Sequence, residues 1–361
     1  MKRLNFLWAS LFSMMLLNVF TACSDDDTPW WQQNGSEVEM ARSRAFVLNE
    51  GSYGMNNATV GYFDFSTDNV FRGDIFEAQN GRKIGDTAQD MAYADGKLYV
   101  VVAGSNYVAR LDGVGHEEAR LSYADHADLG DPRYVAVSKG KLYVSSYGGY
   151  VSRIDAKTMK LEGSVRVGRN PEQLVVSGGR IYCVNSGWGT DNTLSIIDEA
   201  DFTRAETVTI MDNPQRLVVT TSGKLAIQGT GADYSSPRVD VYDPQTRESV
   251  TIGQGSSMAT RGNVVYVASS VWSPDGTATS FYSYDVQTAT RNDSPLSDMP
   301  AEMAAATSYS INVNPYNNHI YVTTTLYNRG DGTVYHFDAT GKYIGKFTSN
   351  GQNPSRIVFV Y

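Results

Sequence analysis

The side chains of this 361-residue chain with the most chemistry to offer fall into two concentric sets. The outer set is seven aromatics, Tyr53, Tyr107, Tyr147, Trp188, Tyr234, Trp272 and Tyr327, each in the longer connection between the second and third strands of a repeated unit. The inner set stands at the start of each unit's first strand: Gln89 and Asp90, Arg133 and Tyr134, Glu172 and Gln173, Gln215 and Arg216, Ser256 and Ser257, Tyr309 and Ser310, and Ser355 and Arg356. Flat π faces around a bowl of guanidinium, amide and hydroxyl groups suit a bulky ligand with apolar faces and many neutral polar edges. The candidate contacts are the seven aromatics together with Arg133, Gln173, Arg216, Tyr309 and Arg356. The three arginines can pair with phosphate or amide oxygens. Equally, each can be neutralised by a nearby carboxylate such as Glu172 or Asp131. A minority of the seven aromatics is expected to pack sideways between repeats.

Signals for covalent or metal chemistry are weak. His116, His126, His319 and His336 lie in different repeats or at outer positions and make no zinc-ligand spacing. There is no nucleophile elbow and no phosphate-binding glycine loop, and Gly229-Thr230-Gly231 reads as a hairpin loop. A channel carboxylate from Asp90 or Glu172 could hold a cation as in propeller lactonases, but nothing else in the sequence supports it. The expectation is therefore binding without catalysis, resident cofactor or metal. With 39 acidic against 30 basic side chains and a net charge of −9, the chain offers no basic surface to a phosphate backbone, so nucleic acid is not an expected partner.

The scaffold that must hold these residues is repetitive. A hydrophobic residue followed by aspartate recurs as Phe63-Asp64, Leu111-Asp112, Ile154-Asp155, Ile197-Asp198, Tyr242-Asp243, Tyr284-Asp285 and Phe337-Asp338, at intervals of 42 to 53 residues. Each is preceded by an apolar run such as Leu98-Tyr99-Val100 or Ile181-Tyr182-Cys183. Short β-branched and aromatic runs broken by Gly, Asn and Asp read as strands and turns. No helical period persists for three turns. Four strands per unit in seven units predicts an all-β, seven-bladed β-propeller. The aspartates read as turn residues between the third and fourth strands. The chain from 354 to 361 matches a first strand and then stops, whereas residue 45 opens on a second strand, so the C-terminal strand should complete the first blade.

The N-terminus reads differently. Met1-Lys2-Arg3, an apolar run to Phe20 and Thr21-Ala22-Cys23 have the form of an export signal. The segment resembles a bacterial lipoprotein signal cut before a cysteine that is then acylated, and Ser24-Asp25-Asp26-Asp27 resembles the acidic run that directs Bacteroides-type lipoproteins to the cell surface. The expected organisation is a signal peptide over 1–22, a lipidated Cys23 with a tether to 44, and a propeller over 45–361. Loss of Lys2 and Arg3 leaves 28 basic against 39 acidic groups, a net charge of −11. With Cys23 acylated, Cys183 has no disulfide partner and reads as a buried apolar side chain. Trp30-Trp31 in the tether docks either on the protein itself or on a partner.

Together with this signal, the opening Val47-Leu48-Asn49-Glu50-Gly51-Ser52-Tyr53-Gly54 followed by Asn56-Asn57-Ala58, the stretch Asn80-Gly81-Arg82-Lys83-Ile84-Gly85-Asp86-Thr87-Ala88-Gln89-Asp90-Met91 and the seven repeats resemble the YncE-like surface propellers of Bacteroidetes, most of all the cobalamin-capturing BtuG lipoproteins. The resemblance implies a lipid-anchored protein on the outer face of the outer membrane. It would bind cobalamin or related corrinoids on the loop face and pass them to a TonB-dependent transporter of the BtuB type. A corrin offers apolar faces to Tyr and Trp and a rim of amides to the polar bowl. Two readings stand beside it: a surface propeller for glycan or peptidoglycan, since sugars also stack on aromatic faces, and a channel-metal hydrolase or lyase.

Overall fold

The computed structural model describes residues 28–274 and 276–361. The expected signal peptide, the acylated Cys23 and the acidic run to Asp27 lie outside the described residues. The described chain forms seven four-stranded antiparallel sheets, each a blade. Their innermost strands are Ala88–Ala94, Pro132–Ser138, Pro171–Ser177, Pro214–Val219, Ser257–Arg261, Thr307–Val313 and Pro354–Val360. Each touches its two neighbours, closing a ring around a central channel. The last of these strands belongs to blade one: Pro354–Val360 pairs antiparallel with Arg44–Asn49, placing Val47 opposite Ile357 and Ala45 opposite Phe359. No blade edge is left for the chain ends to fray from.

Side chains alternate across each strand, so both blade faces must be apolar for the blades to stack. They are: seven hydrophobic clusters fill the seven seams between adjacent blades. The aromatic of each Leu-Tyr-Val run sits in a seam, with Phe46, Tyr99, Tyr143, Tyr182, Tyr266 and Tyr321 all buried. Cys183 is buried in the seam between blades three and four, as its apolar company foretold. The seven repeated aspartates cap turns. Asp112 accepts Val114 N and His116 N, Asp198 accepts Ala200 N and Asp201 N, and Asp338 accepts Thr340 N and Lys342 N. Hydrogen bonds of the same local kind occupy Asp64, Asp155, Asp243 and Asp285.

Among the described residues helix is confined to short pieces, the longest α-helix being Ile75–Asn80 between blades one and two. Asp74 caps it by accepting Phe76 N, and Gly81 ends it at φ +65°. Burial of Asp74 pushes its carboxyl up to about 6. The segment before the first strand lies against the propeller, with Trp30 and Trp31 packed on the seam between blades one and two and the Arg44 guanidinium 4.7 Å from the Trp30 ring. Among the described residues no helix is long and apolar enough to cross a membrane.

Candidate functional site

One face of the propeller carries the connections between blades and the loops between second and third strands. There the sequence-predicted aromatics divide unevenly. Tyr53, Trp188, Tyr234, Trp272 and Tyr327 are between 52 % and 87 % exposed. They belong to blades one, four, five, six and seven, an unbroken arc of five. Trp272 is carried highest, because its blade's second and third strands, Val264–Ser273 and Gly276–Asp285, continue as a paired hairpin beyond the others. Tyr107, in blade two, is 5 % exposed. It begins a strand, donates its hydroxyl to Ile84 O and lies beneath the Arg120 guanidinium, so it belongs to the core. Tyr147, in blade three, is half-buried because its loop is only Tyr147-Gly148-Gly149, and Gly130 packs so closely on Gly148 that a side chain at 130 would meet Gly148 N at 2.5 Å. The rim is thus a crescent with its gap at blades two and three.

Three crescent aromatics share a backbone feature. Trp188, Tyr234 and Tyr327 have φ of +53°, +62° and +54°. For a bulky side chain that conformation costs about 1 kcal/mol or more. Local bonds hold it: Ser186 Oγ accepts Trp188 N at 3.2 Å and Thr325 Oγ1 accepts Tyr327 N at 2.6 Å. The Trp188 ring stands edge-on to Tyr147, with centroids 5.3 Å apart at 84°.

Beneath the rim, polar side chains cross the channel mouth. Glu172, from blade four, accepts Arg133 at 3.1 and 3.3 Å, the Tyr147 hydroxyl at 3.1 Å and the Ser186 hydroxyl at 3.3 Å. Arg133 also donates to Gln89, and Gln89 Nε2 donates to Glu50 at 2.9 Å and to the Tyr134 hydroxyl at 3.3 Å. On the far side Tyr309, from blade seven, donates to Glu50. Arg216, from blade five, reaches over the Tyr134 ring at 5.6 Å. Its guanidinium makes no hydrogen bond among the described residues, which leaves its donors open to the bowl. Burial raises the Glu50 carboxyl, which the Tyr309 hydrogen bond opposes. Burial likewise pushes the Tyr134 hydroxyl up to about 12. Burial works against charge on Arg133, yet the adjoining Glu172 carboxylate together with Tyr134, Tyr147 and Glu50 holds that guanidinium above its ordinary range.

The bowl therefore has a solid, internally paired floor, and several inner-ring candidates change role. Arg133 is neutralised by Glu172, the structural option of the two open in the sequence; Asp131 takes no part in that pairing. Gln173 does not face the rim: its Oε1 accepts Leu217 N at 3.0 Å, stitching blade four to blade five. Asp90 and Asn312 repeat the stitch by accepting Val135 N and Ile357 N. Arg356 also points away from the rim. Together with Asp90 and Gln173 it lines the channel below the floor, a cavity of about 560 Å³ whose other end lies among the turns of the opposite face. Arg216 and Tyr309 remain under the bowl.

Two features escaped the sequence. Glu50 is 8 % exposed and joins the networks of blades two and seven. Its signal was a carboxylate immediately after a second strand, where other repeats carry Ala103, Ser186 or Thr230. The histidines are not all scattered: His319 Nδ1 and His336 Nε2 are 2.8 Å apart, and His336 Nδ1 is 2.7 Å from Asp68 Oδ2. Strand pairing sets His336 opposite Tyr321, two residues along the strand from His319, which repeat spacing does not reveal. Among the described residues no group of three or more His, Cys, Asp and Glu side chains is placed to hold a metal ion.

A family model described as a domain of unknown function, DUF5074, matches residues 44–360. No curated protein matches the chain. Among solved structures, a quinonprotein alcohol dehydrogenase-like protein from Bacteroides thetaiotaomicron is 15 % identical, covering 87 % of this chain and 78 % of its own at a TM-score of 0.59. A protein from Lactobacillus plantarum, also 15 % identical, covers 89 % and 100 % at 0.59. A provisionally assigned 6-phosphogluconolactonase from Bacteroides uniformis, 13 % identical, covers 89 % and 100 % at 0.61. At these identities the likeness is one of fold.

Proposed function

The chain belongs to the DUF5074 family, and from its bowl we propose that it is a binding protein without catalysis. In this reading it is a surface lipoprotein, anchored in the outer membrane through acylated Cys23, that captures cobalamin or a related corrinoid and passes it to a TonB-dependent transporter of the BtuB type. The observation that carries the proposal is the trio Trp188, Tyr234 and Tyr327, half or more exposed and held at positive φ. Backbone strain retained at an exposed aromatic marks a side chain placed for contact. The paired floor favours a broad, flat ligand lying across the crescent over one that plunges into the channel. The open Arg216 donors suit amide oxygens at such a ligand's edge. The opening motif and lipoprotein signal that resemble the BtuG propellers support the corrinoid and the transporter.

The test is calorimetric titration of the purified chain with cyanocobalamin, followed by a visible spectrum of the washed complex. Stoichiometric binding with retained corrin colour is expected. No heat and no colour at micromolar ligand would remove the corrinoid from the reading. The anchor has its own assay: Cys23→Ser should shift the protein from the membrane fraction to the soluble fraction of the producing cell.

A further inference from the structure

Below the bowl floor the axial channel is a separate compartment. Its cavity of about 560 Å³ lies within the size range of small-molecule sites. Its lining stops at Asp90, Gln173 and Arg356 on the bowl side, beneath the floor network. At the other end it reaches Ala94, Pro315 and Tyr316, among the short turns of the face opposite the crescent. A guest therefore enters from that opposite face.

The blind end presents unspent hydrogen-bonding capacity. Asp90 is 4 % exposed; its Oδ2 accepts Val135 N, the Met91 backbone N–H also serves the carboxylate, and Arg356 Nε stands 3.8 Å from its Oδ1, beyond hydrogen-bonding range. The Arg356 guanidinium makes no hydrogen bond among the described residues. Gln173, 8 % exposed, spends its Oε1 on Leu217 N and leaves its Nε2 without a hydrogen-bond partner among them. The bowl-side end thus carries the Arg356 and Gln173 donors and the Asp90 carboxylate, and Asp90 and Arg356, the charged side chains of the lining, are opposite in sign. The walls are mainly Val, Ile, Leu, Ala and Met residues, with Thr260 and Asn312 among them, on inner strands whose channel-facing backbone edges pair with nothing in their own sheets. At the mouth Tyr316 is half exposed, parallel to Phe65 at 6.4 Å and 5.3 Å from Tyr361.

We propose that this channel is a second binding site, distinct from the crescent, that takes the end of a neutral saccharide from the opposite face. Hydroxyl groups donate and accept at once, so the edge of a sugar answers the Asp90 carboxylate as well as the Arg356 and Gln173 donors, which a purely acidic or purely basic ligand does not. A fatty acid would answer Arg356 and leave Asp90 buried and uncompensated. A lone cation would do the reverse. The C–H face of a pyranose stacks on an aromatic ring, the service Tyr316 is placed to give.

The test uses the full chain in a non-glycosidic detergent, titrated separately with cellobiose, maltose and N,N′-diacetylchitobiose by calorimetry and ligand-observed NMR. At least one sugar is expected to bind with a Kd of about 1 mM or tighter. Arg356→Met should weaken it about tenfold and Tyr316→Ala about fivefold, while Trp188→Ala leaves it unchanged. If Arg356→Met melts early because Asp90 is stranded, the exposed Tyr316→Ala carries the comparison. Absence of binding by all three sugars at about 10 mM, in the affinity range where such sites work, overturns the proposal. So does binding that Trp188→Ala abolishes and Tyr316→Ala spares, which would place sugar on the crescent. A negative result here leaves the corrinoid titration unaffected.

Discussion

Trp188→Ala isolates the crescent from the scaffold. The indole is 60 % exposed, so of a side chain that buries up to roughly 250 Å² about 150 Å² faces solvent. A flat ligand lying on one face of the ring covers about half of that, roughly 75 Å². At about 25 cal/mol per Å² the contact is worth about 2 kcal/mol, a loss of roughly 30-fold in affinity. Stability should change little, because what Trp188 gives the fold is an edge contact with Tyr147, worth about 1 kcal/mol. The assay is parallel calorimetry of wild type and variant with cyanocobalamin, with thermal melts as a control. Trp272→Ala, at 77 % exposure, should behave alike. Tyr107→Ala is the opposite control: it should cost about 3 kcal/mol of stability and, at temperatures where it stays folded, leave affinity intact. Unchanged affinity in both tryptophan variants would refute the placement of ligand on the crescent.

Other consequences follow from the same contacts. Glu172→Gln removes the charge that Arg133 answers inside the bowl floor and should lower urea-unfolding stability by about 3 kcal/mol; a change under about 0.5 kcal/mol, the scale of ordinary surface substitutions, would mean the pair is not coupled. Removing residues 354–361 strips four buried apolar side chains, Ile357, Val358, Phe359 and Val360, from two seams, a loss of about 8 kcal/mol that rivals a domain's whole stability. Such a chain should be degraded in limited proteolysis where the full chain resists. The His319–His336–Asp68 chain makes the seam between blades seven and one acid-sensitive. Burial and the adjacent His336 lower the His319 pKa, so the folded state prefers the neutral ring. The stabilisation is complete above the unfolded value near 6.5 and is lost as pH falls through it towards the folded value. Melting temperature should drop on going from about pH 7 to pH 5, and His319→Gln should flatten the profile; parallel profiles for both proteins would remove the seam from the account.

Repetition makes the fold legible in the sequence. Each Leu-Tyr-Val run and each turn aspartate is dictated locally, by strand alternation and by an Asx turn, so seven copies give seven blades whatever their environment. The closing strand was legible for the same reason: 354–361 is a first strand without a successor, and residue 45 a second strand without a predecessor. The loop positions of the rim aromatics could also be read, since they follow from the strand count. What alternation does not encode is the path a loop takes or what lies across the axis. Tyr107 and Trp188 occupy equivalent loops, yet one is core and the other rim, because blade two's third strand begins at Tyr107 whereas Ser186 turns Trp188 outward. Glu50 meets Tyr309 over 259 residues of chain, and Gln173 spends its amide oxygen on the next blade's backbone. Arg356 turns into the channel, where its guanidinium stands 3.8 Å from Asp90. The sequence by itself determined the propeller, its closure and the ring of loops that bears the aromatics, because short-range hydrogen bonding and strand alternation specify them. Tertiary structure alone decided that the bowl has a paired floor, that the open aromatics form a crescent and that the channel is a separate compartment, because those features depend on side chains from different blades meeting across the axis.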